Sequence, residues 1–169
     1  MNNNEKGLTF IEVVLSLAIF SVLSLILYQA FSMGSKSLDT TSAQSRVNGE
    51  TRVGMERITK ELRSARYSDA TVVQSDQLQF KVPQSISPEG DITWSGWIQY
   101  ELGGIDGEQL LREDVSSGDT TVLANRVSSL QFVKNSNPDT VTINLTALDS
   151  TSYGNSAQVS LTGTVEFRN

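Results

Sequence analysis

The chain has 169 residues and contains no cysteine and no histidine. Disulfides, thiol nucleophiles, histidine-based triads and zinc sites built on either ligand are therefore excluded. Most enzyme classes fall at this step. Ser, Asp and Lys are plentiful, yet they form no nucleophile elbow, no phosphate-binding glycine loop and no paired-carboxylate signature, so neither an enzyme nor a cofactor is expected. Positive charge is in short supply too, with 13 Lys and Arg against 19 Asp and Glu. A net charge of −6 makes the chain a poor bulk binder of nucleic acid, whose phosphates need clustered cations. A more local shortage has the largest consequence: the 21 positions from Val13 to Met33 hold no charge, no glycine and no proline. As a helix at about 1.5 Å per residue they extend about 32 Å, enough to cross the hydrocarbon of a bilayer.

What stands in front of that run is a carboxylate, Glu12. A lone charge there costs about 2.5 to 3.5 kcal/mol unless it lies near an interface or meets a cation. The stretch Lys6-Gly7-Leu8-Thr9-Phe10-Ile11-Glu12, followed by the apolar run, resembles the type IV prepilin processing signal. The resemblance implies that a membrane-embedded prepilin peptidase cuts between Gly7 and Leu8 and methylates the new amino terminus at Leu8. Glu12 becomes the fifth residue of the mature chain, where the family's glutamate neutralises the terminal ammonium of a neighbouring subunit during filament assembly. Leu8 departs from the commoner phenylalanine or methionine. Ser21 and Gln29 stand where major pilins often carry a helix-loosening glycine and proline, which favours a minor pilin or pseudopilin. The implied partners are prepilin peptidase, other pilin or pseudopilin subunits, an inner-membrane assembly platform, and lipid before assembly. The implied location is the cytoplasmic membrane, crossed once with the head outside, and then a pilus or pseudopilus serving DNA uptake, adhesion or protein secretion.

Two other readings of the amino terminus compete. An ordinary cleaved secretory signal has an apolar run of about 7 to 15 residues, shorter than this one, and would need a site such as Ser32-x-Gly34. Alternatively, an uncleaved anchor could tether an extracytoplasmic binding module that recognises a carbohydrate or peptide on its sheet. Loop charge gives little orientation, because Lys6 on one side faces Lys36 and Arg46 on the other.

Beyond Gly34 and Ser35, residues Ser37 to Arg66 read as helix. Leu38, Val47, Met55, Ile58, Leu62 and Ala65 approximate one stripe, and Glu56 and Lys60 are spaced for an ion pair. Gly49 and Gly54 weaken this helix locally. The segment from Met55 to Arg66 resembles the second half of the spine helix in the J-class minor pseudopilins of type II secretion. Arg57, Arg63 and Arg66 read as a solvated face. Past Tyr67 the pattern alternates with period two: Leu78, Phe80 and Val82; then Ile92, Trp94, Ile98, Tyr100 and Leu102. Gln109 to Arg112, Thr121 to Leu123, Val127 to Val133, Val141 to Ala147 and Val159 to Phe167 continue it. Trp97 to Leu102, a turn through Gly103, Gly104 and Gly107, and Leu110 to Arg112 resemble the J-class hairpin. The expected fold is α+β and pilin-like: one long amino-terminal helix, membrane-spanning in its first half, packed on the apolar face of an antiparallel sheet. The expected division is a leader at 1–7, a membrane and filament-core half-helix at 8–34, an amphipathic half at 35–68 and a β-rich head at 69–169.

Three further features bear on binding. Trp94 and Trp97 have odd spacing, which on a regular strand sends one to the core and leaves Trp97 as a partner-facing anchor, unless a bulge at Gly96 buries it. Asp106, Glu108, Glu113, Asp114 and Asp119 would offer oxygen ligands to calcium only if their loops converge; otherwise they are solvated turn residues. Asn144-Leu145-Thr146 fits a glycosylation pattern that a bacterial-type signal makes incidental.

Overall fold

A computed structural model describes residues 9–167. The expected processing site at Gly7 and Leu8 lies outside the described residues. A single α-helix, α1 (Phe10–Leu62), opens the structure, and the chain divides into two compact units, one up to Asp39 and one from Thr40 onward. In the first unit the helical apolar side chains are exposed on every side, Phe10, Phe20, Leu27 and Phe31 among them. Leu38, expected in the buried stripe, is 72% exposed; burial along α1 begins at Ala43 and continues through Val47, Thr51, Gly54, Met55, Ile58 and Leu62.

The second unit is β-rich and entirely antiparallel. A five-stranded sheet holds β1 (Thr71–Gln74), β2 (Gln77–Phe80), β5 (Ile98–Gly103), β6 (Gln109–Asp114) and β7 (Asp119–Ala124), in that spatial order. A three-stranded sheet has the order β10 (Ser156–Glu166), β9 (Asp139–Ser150), β8 (Val127–Ser136). The remaining pair, β3 (Pro83–Ile86) and β4 (Ile92–Trp94), forms a separate hairpin.

The single sheet expected from sequence is thus split. The meander breaks between β7 and β8, where Arg126 adopts a left-handed φ of 59° and re-aims the chain. Short backbone bonds then join the two sheets: the Phe132 amide donates to the Ser75 carbonyl at 2.7 Å and the Val127 amide to the Glu108 carbonyl at 2.8 Å.

One core serves both sheets and the helix. Ile58 and Leu62 meet Leu78, Phe80, Tyr100 and Leu110 from one sheet and Val127, Ile143, Leu145 and Val165 from the other. Phe80 and Tyr100 stack with ring centroids 5.7 Å apart. Close approach of the helix to the strands falls at two glycines. A side-chain carbon added at Gly54 would lie 2.7 Å from Leu110, and one at Gly163 of β10 would lie 3.1 Å from the Met55 sulfur.

The helix ends at Leu62, earlier than the expected Arg66, in a turn closed by the Ala65 amide donating to the Leu62 carbonyl at 3.1 Å. Glu56 pairs with Arg52 at 2.9 Å, one turn before it, in place of the expected Lys60. Arg57 pairs with Glu61 at 2.6 Å. That carboxylate also accepts from Arg112 of β6 at 3.0 Å and from the Tyr100 hydroxyl at 3.0 Å, so one glutamate ties helix to sheet.

Candidate functional site at the start of the helix

Glu12 sits in the first turn of α1, as the third helical residue after Thr9. The Thr9 amide donates to Glu12 Oε2 at 2.8 Å, the Thr9 hydroxyl donates to the same oxygen at 2.9 Å, and the Glu12 amide donates back to the Thr9 hydroxyl at 3.3 Å. This is a capping box: two amides left orphaned by the helix start are satisfied reciprocally by a Thr-x-x-Glu pair. Thr9 was not picked out as a site residue from sequence, although the Thr-x-x-Glu spacing carries the signal. Within one chain, then, the carboxylate has hydrogen-bond donors but no cationic side chain paired with it among the described residues.

Behind Glu12 the helix is hydrophobic all round, and its most apolar stretch is not buried at all. It is long and apolar enough to cross a membrane. Two of its serines show how polar groups are accommodated there. Ser16 donates to the Glu12 carbonyl at 2.7 Å and Ser21 to the Leu17 carbonyl at 2.8 Å, so both hydroxyls are satisfied by their own helix and need no water.

The head offers weaker candidates. Trp94 and Trp97 are both half-buried, and neither enters the core expected for one of them. Strand parity fails because β4 ends at Trp94 and β5 begins at Ile98, so Trp97 belongs to neither ladder. A cation covers each ring: Arg66 lies 4.2 Å from the Trp94 centroid and Lys81 lies 4.6 Å from that of Trp97. Arg66 and Arg57 thus have partners, where a simply solvated face was expected. The acidic side chains considered for calcium do not converge: no group of three or more His, Cys, Asp or Glu able to hold a metal lies among the described residues. Asp114 instead accepts from the Ser116 amide at 3.0 Å and Asp119 from the Ser117 hydroxyl at 2.8 Å, each within its own turn.

A second charged cluster joins α1 to the head. The Asp149 carboxylate, only 7% exposed, is bonded by Arg46 of the helix and by Arg126 at 3.0 Å. Burial alone would push its pKa up; the Arg46 hydrogen bond and the two guanidinium charges outweigh it and hold the carboxyl below its usual range. Burial first, and then the Glu61 charge, push the Tyr100 phenol well above its usual range. Both clusters are consumed by internal contacts, which suits anchoring of the helix and leaves them no visible chemistry.

No curated protein and no solved structure matches the chain. Residues 2–28 match the prokaryotic N-terminal methylation motif. With the capped Glu12 at its centre and a membrane-capable helix behind it, that motif supports a type IV prepilin-like chain, handled by prepilin peptidase, anchored in a membrane and assembled with other pilin subunits.

Proposed function

We propose that this chain is a minor pilin or pseudopilin precursor, cleaved between Gly7 and Leu8, methylated on Leu8, and built into a pilus or pseudopilus as a tip or priming subunit. The head then lies outside the cytoplasmic membrane, and assembly draws the apolar half of α1 from lipid into a bundle of neighbouring helices. The observation that carries the reading is the all-round exposure of that half directly behind Glu12: apolar surface of this extent needs either lipid or other helices around it. Glu12 supplies the selective polar contact, exchanging its Thr9 donors for the terminal ammonium of a neighbour. Unbroken helix through Ser21 and Gln29 supports the minor-subunit assignment. The second half of α1 lying on antiparallel strands supports a pilin-like subunit.

Intact-mass analysis and amino-terminal sequencing of protein taken from native membranes test the reading. The expected product begins at Leu8 and carries one added methyl group. A functional protein that begins at Met1 overturns it and favours a binding module on an uncleaved anchor.

A further inference from the structure

We propose that residues 43–51 of α1 form a latch that lets go of the head as a unit while residues 55–62 stay packed on it. The two stretches are held by different forces. In the second, Met55, Ile58 and Leu62 belong to the core shared by both sheets. In the first, the buried helix residues are Ala43, Val47 and Thr51, and none of them belongs to that core. Ala147 of β9 and Ala157 of β10 are likewise buried outside it. One valine and a few alanine methyls remove far less apolar surface from water than methionine, isoleucine and leucine side chains do. The Thr51 hydroxyl adds nothing across the gap, because it is spent on the Val47 carbonyl of its own helix at 2.6 Å.

Polar contacts carry the rest of the attachment. Arg46 bonds Asp149 of β9, and the Gln44 amide donates to the Gln158 carbonyl of β10 at 3.4 Å. The Glu50 carboxylate accepts from the Asn125 amide at 3.0 Å and lies 3.9 Å from the Arg126 guanidinium. Arg126 also reaches Asp149 at 3.0 Å, so Arg46, Asp149, Arg126 and Glu50 make one chain of alternating charge. Asp149 is buried, but the side chains of Arg46, Arg126 and Glu50 are 49%, 38% and 32% exposed. An open cleft of about 450 Å³, lined by these three and Asn125 among others, brings solvent and ions to them. Salt therefore weakens this attachment and leaves the apolar one at 55–62 in place.

Few buried apolar contacts and solvent-reached polar ones are the marks of a segment that opens ahead of global unfolding. Gly49, with nothing within 4 Å of an added side-chain carbon, also weakens the helix inside the latch. Gly54, packed tightly on Leu110, marks where the firmer stretch begins. The head can then stay folded while three turns of α1 part from it, a freedom of use to a helix drawn into a bundle. That use rests on the filament reading; the latch itself does not.

The test exploits the absence of cysteine from the chain. Val47→Cys places a single thiol in the latch and Ala65→Cys places one in the core, both at buried positions, and maleimide labelling rates are measured on the full chain in detergent micelles. The Val47→Cys thiol should label about tenfold or more faster than the Ala65→Cys thiol. Adding Arg46→Gln, or raising sodium chloride from about 0.05 M to about 0.5 M, should speed the first about threefold or more and leave the second unchanged. Equal rates, no response to salt and to Arg46→Gln, or acceleration that extends to the Ala65→Cys site overturns the proposal. Should either thiol variant lose its folded head, amide exchange of the parent chain at the two salt concentrations decides. Faster, salt-sensitive exchange confined to 43–51 supports the latch, and uniform protection from 43 to 62 overturns it. None of these readouts depends on processing at Gly7, so failure here is distinguishable from failure of the filament reading.

Discussion

Gly54 of α1 lies so close to Leu110 of β6 that a side-chain carbon at Gly54 would sit 2.7 Å from the leucine methyl. Leu110 is fully buried, so it has little room to yield. What reads in sequence as a weak point of the helix is a place where helix and strand pack tightly.

Replacing Gly54 by Ala should therefore lower stability by about 1 to 3 kcal/mol, overpacking outweighing the roughly 1 kcal/mol gained in helix propensity. Gly49, on the same helix, has nothing within 4 Å of the equivalent position, and Gly49→Ala should stabilise by about 0.5 to 1 kcal/mol. Opposite shifts in thermal midpoint check the pair; a rise for both would contradict the close packing at Gly54.

At Glu12 the local cap and the proposed contact with a neighbour can be separated. Gln at this position still accepts from Thr9 and preserves the capping box but carries no charge, whereas Ala removes both. Both Glu12→Gln and Glu12→Ala should insert and be processed, and both should incorporate poorly into filaments, as measured by subunit recovery in a filament pull-down. Full incorporation of the Gln variant would reduce Glu12 to a helix cap.

The Asp149 cluster gives an acid-sensitive term. Its folded pKa lies below the ordinary 3.8, so its contribution is complete above that value and is lost as pH falls through the lowered folded value. Denaturant midpoints measured from about pH 6 down to about pH 2 should fall more steeply for the parent chain than for Asp149→Asn. At neutral pH the variant should cost about 1 to 3 kcal/mol, since Asp149 is buried but both arginines are partly solvated. Parallel pH curves would remove Asp149 from the acid transition.

Glu61 should matter more than a surface ion pair. Its side chain is 13% exposed and serves Arg112, which is 22% exposed, as well as Tyr100 and Arg57. Glu61→Ala leaves a largely buried guanidinium without its carboxylate, and a loss of about 3 kcal/mol is expected. Arg52→Ala breaks an exposed pair with Glu56 and should change stability by less than about 0.5 kcal/mol. Equal effects would show that burial does not separate the two pairs.

Much of the architecture was legible because it rests on periodicity. The charge-free run after Glu12, the stripe Val47, Met55, Ile58 and Leu62, and the alternation of Val141, Ile143, Leu145 and Ala147 each bury or expose the expected face. What escaped the sequence rests on long-range geometry. The break between the five-stranded and three-stranded sheets falls at a left-handed turn at Arg126, a residue with no special preference for that conformation. Strand β1 has no buried alternation and β3 begins with proline, so neither announces itself. Trp97 could not be placed by parity because it lies between two ladders. Thr9 was legible and passed over, since its role shows only when the residue three places later is read as its partner.

The serines inside the apolar helix carry a further consequence. Because Ser16 and Ser21 discharge their hydroxyls into carbonyls of their own backbone, neither needs a new hydrogen-bond partner when the surroundings change. A move of this helix from lipid into contact with other helices would leave those two bonds as they are and ask neither hydroxyl for a new partner.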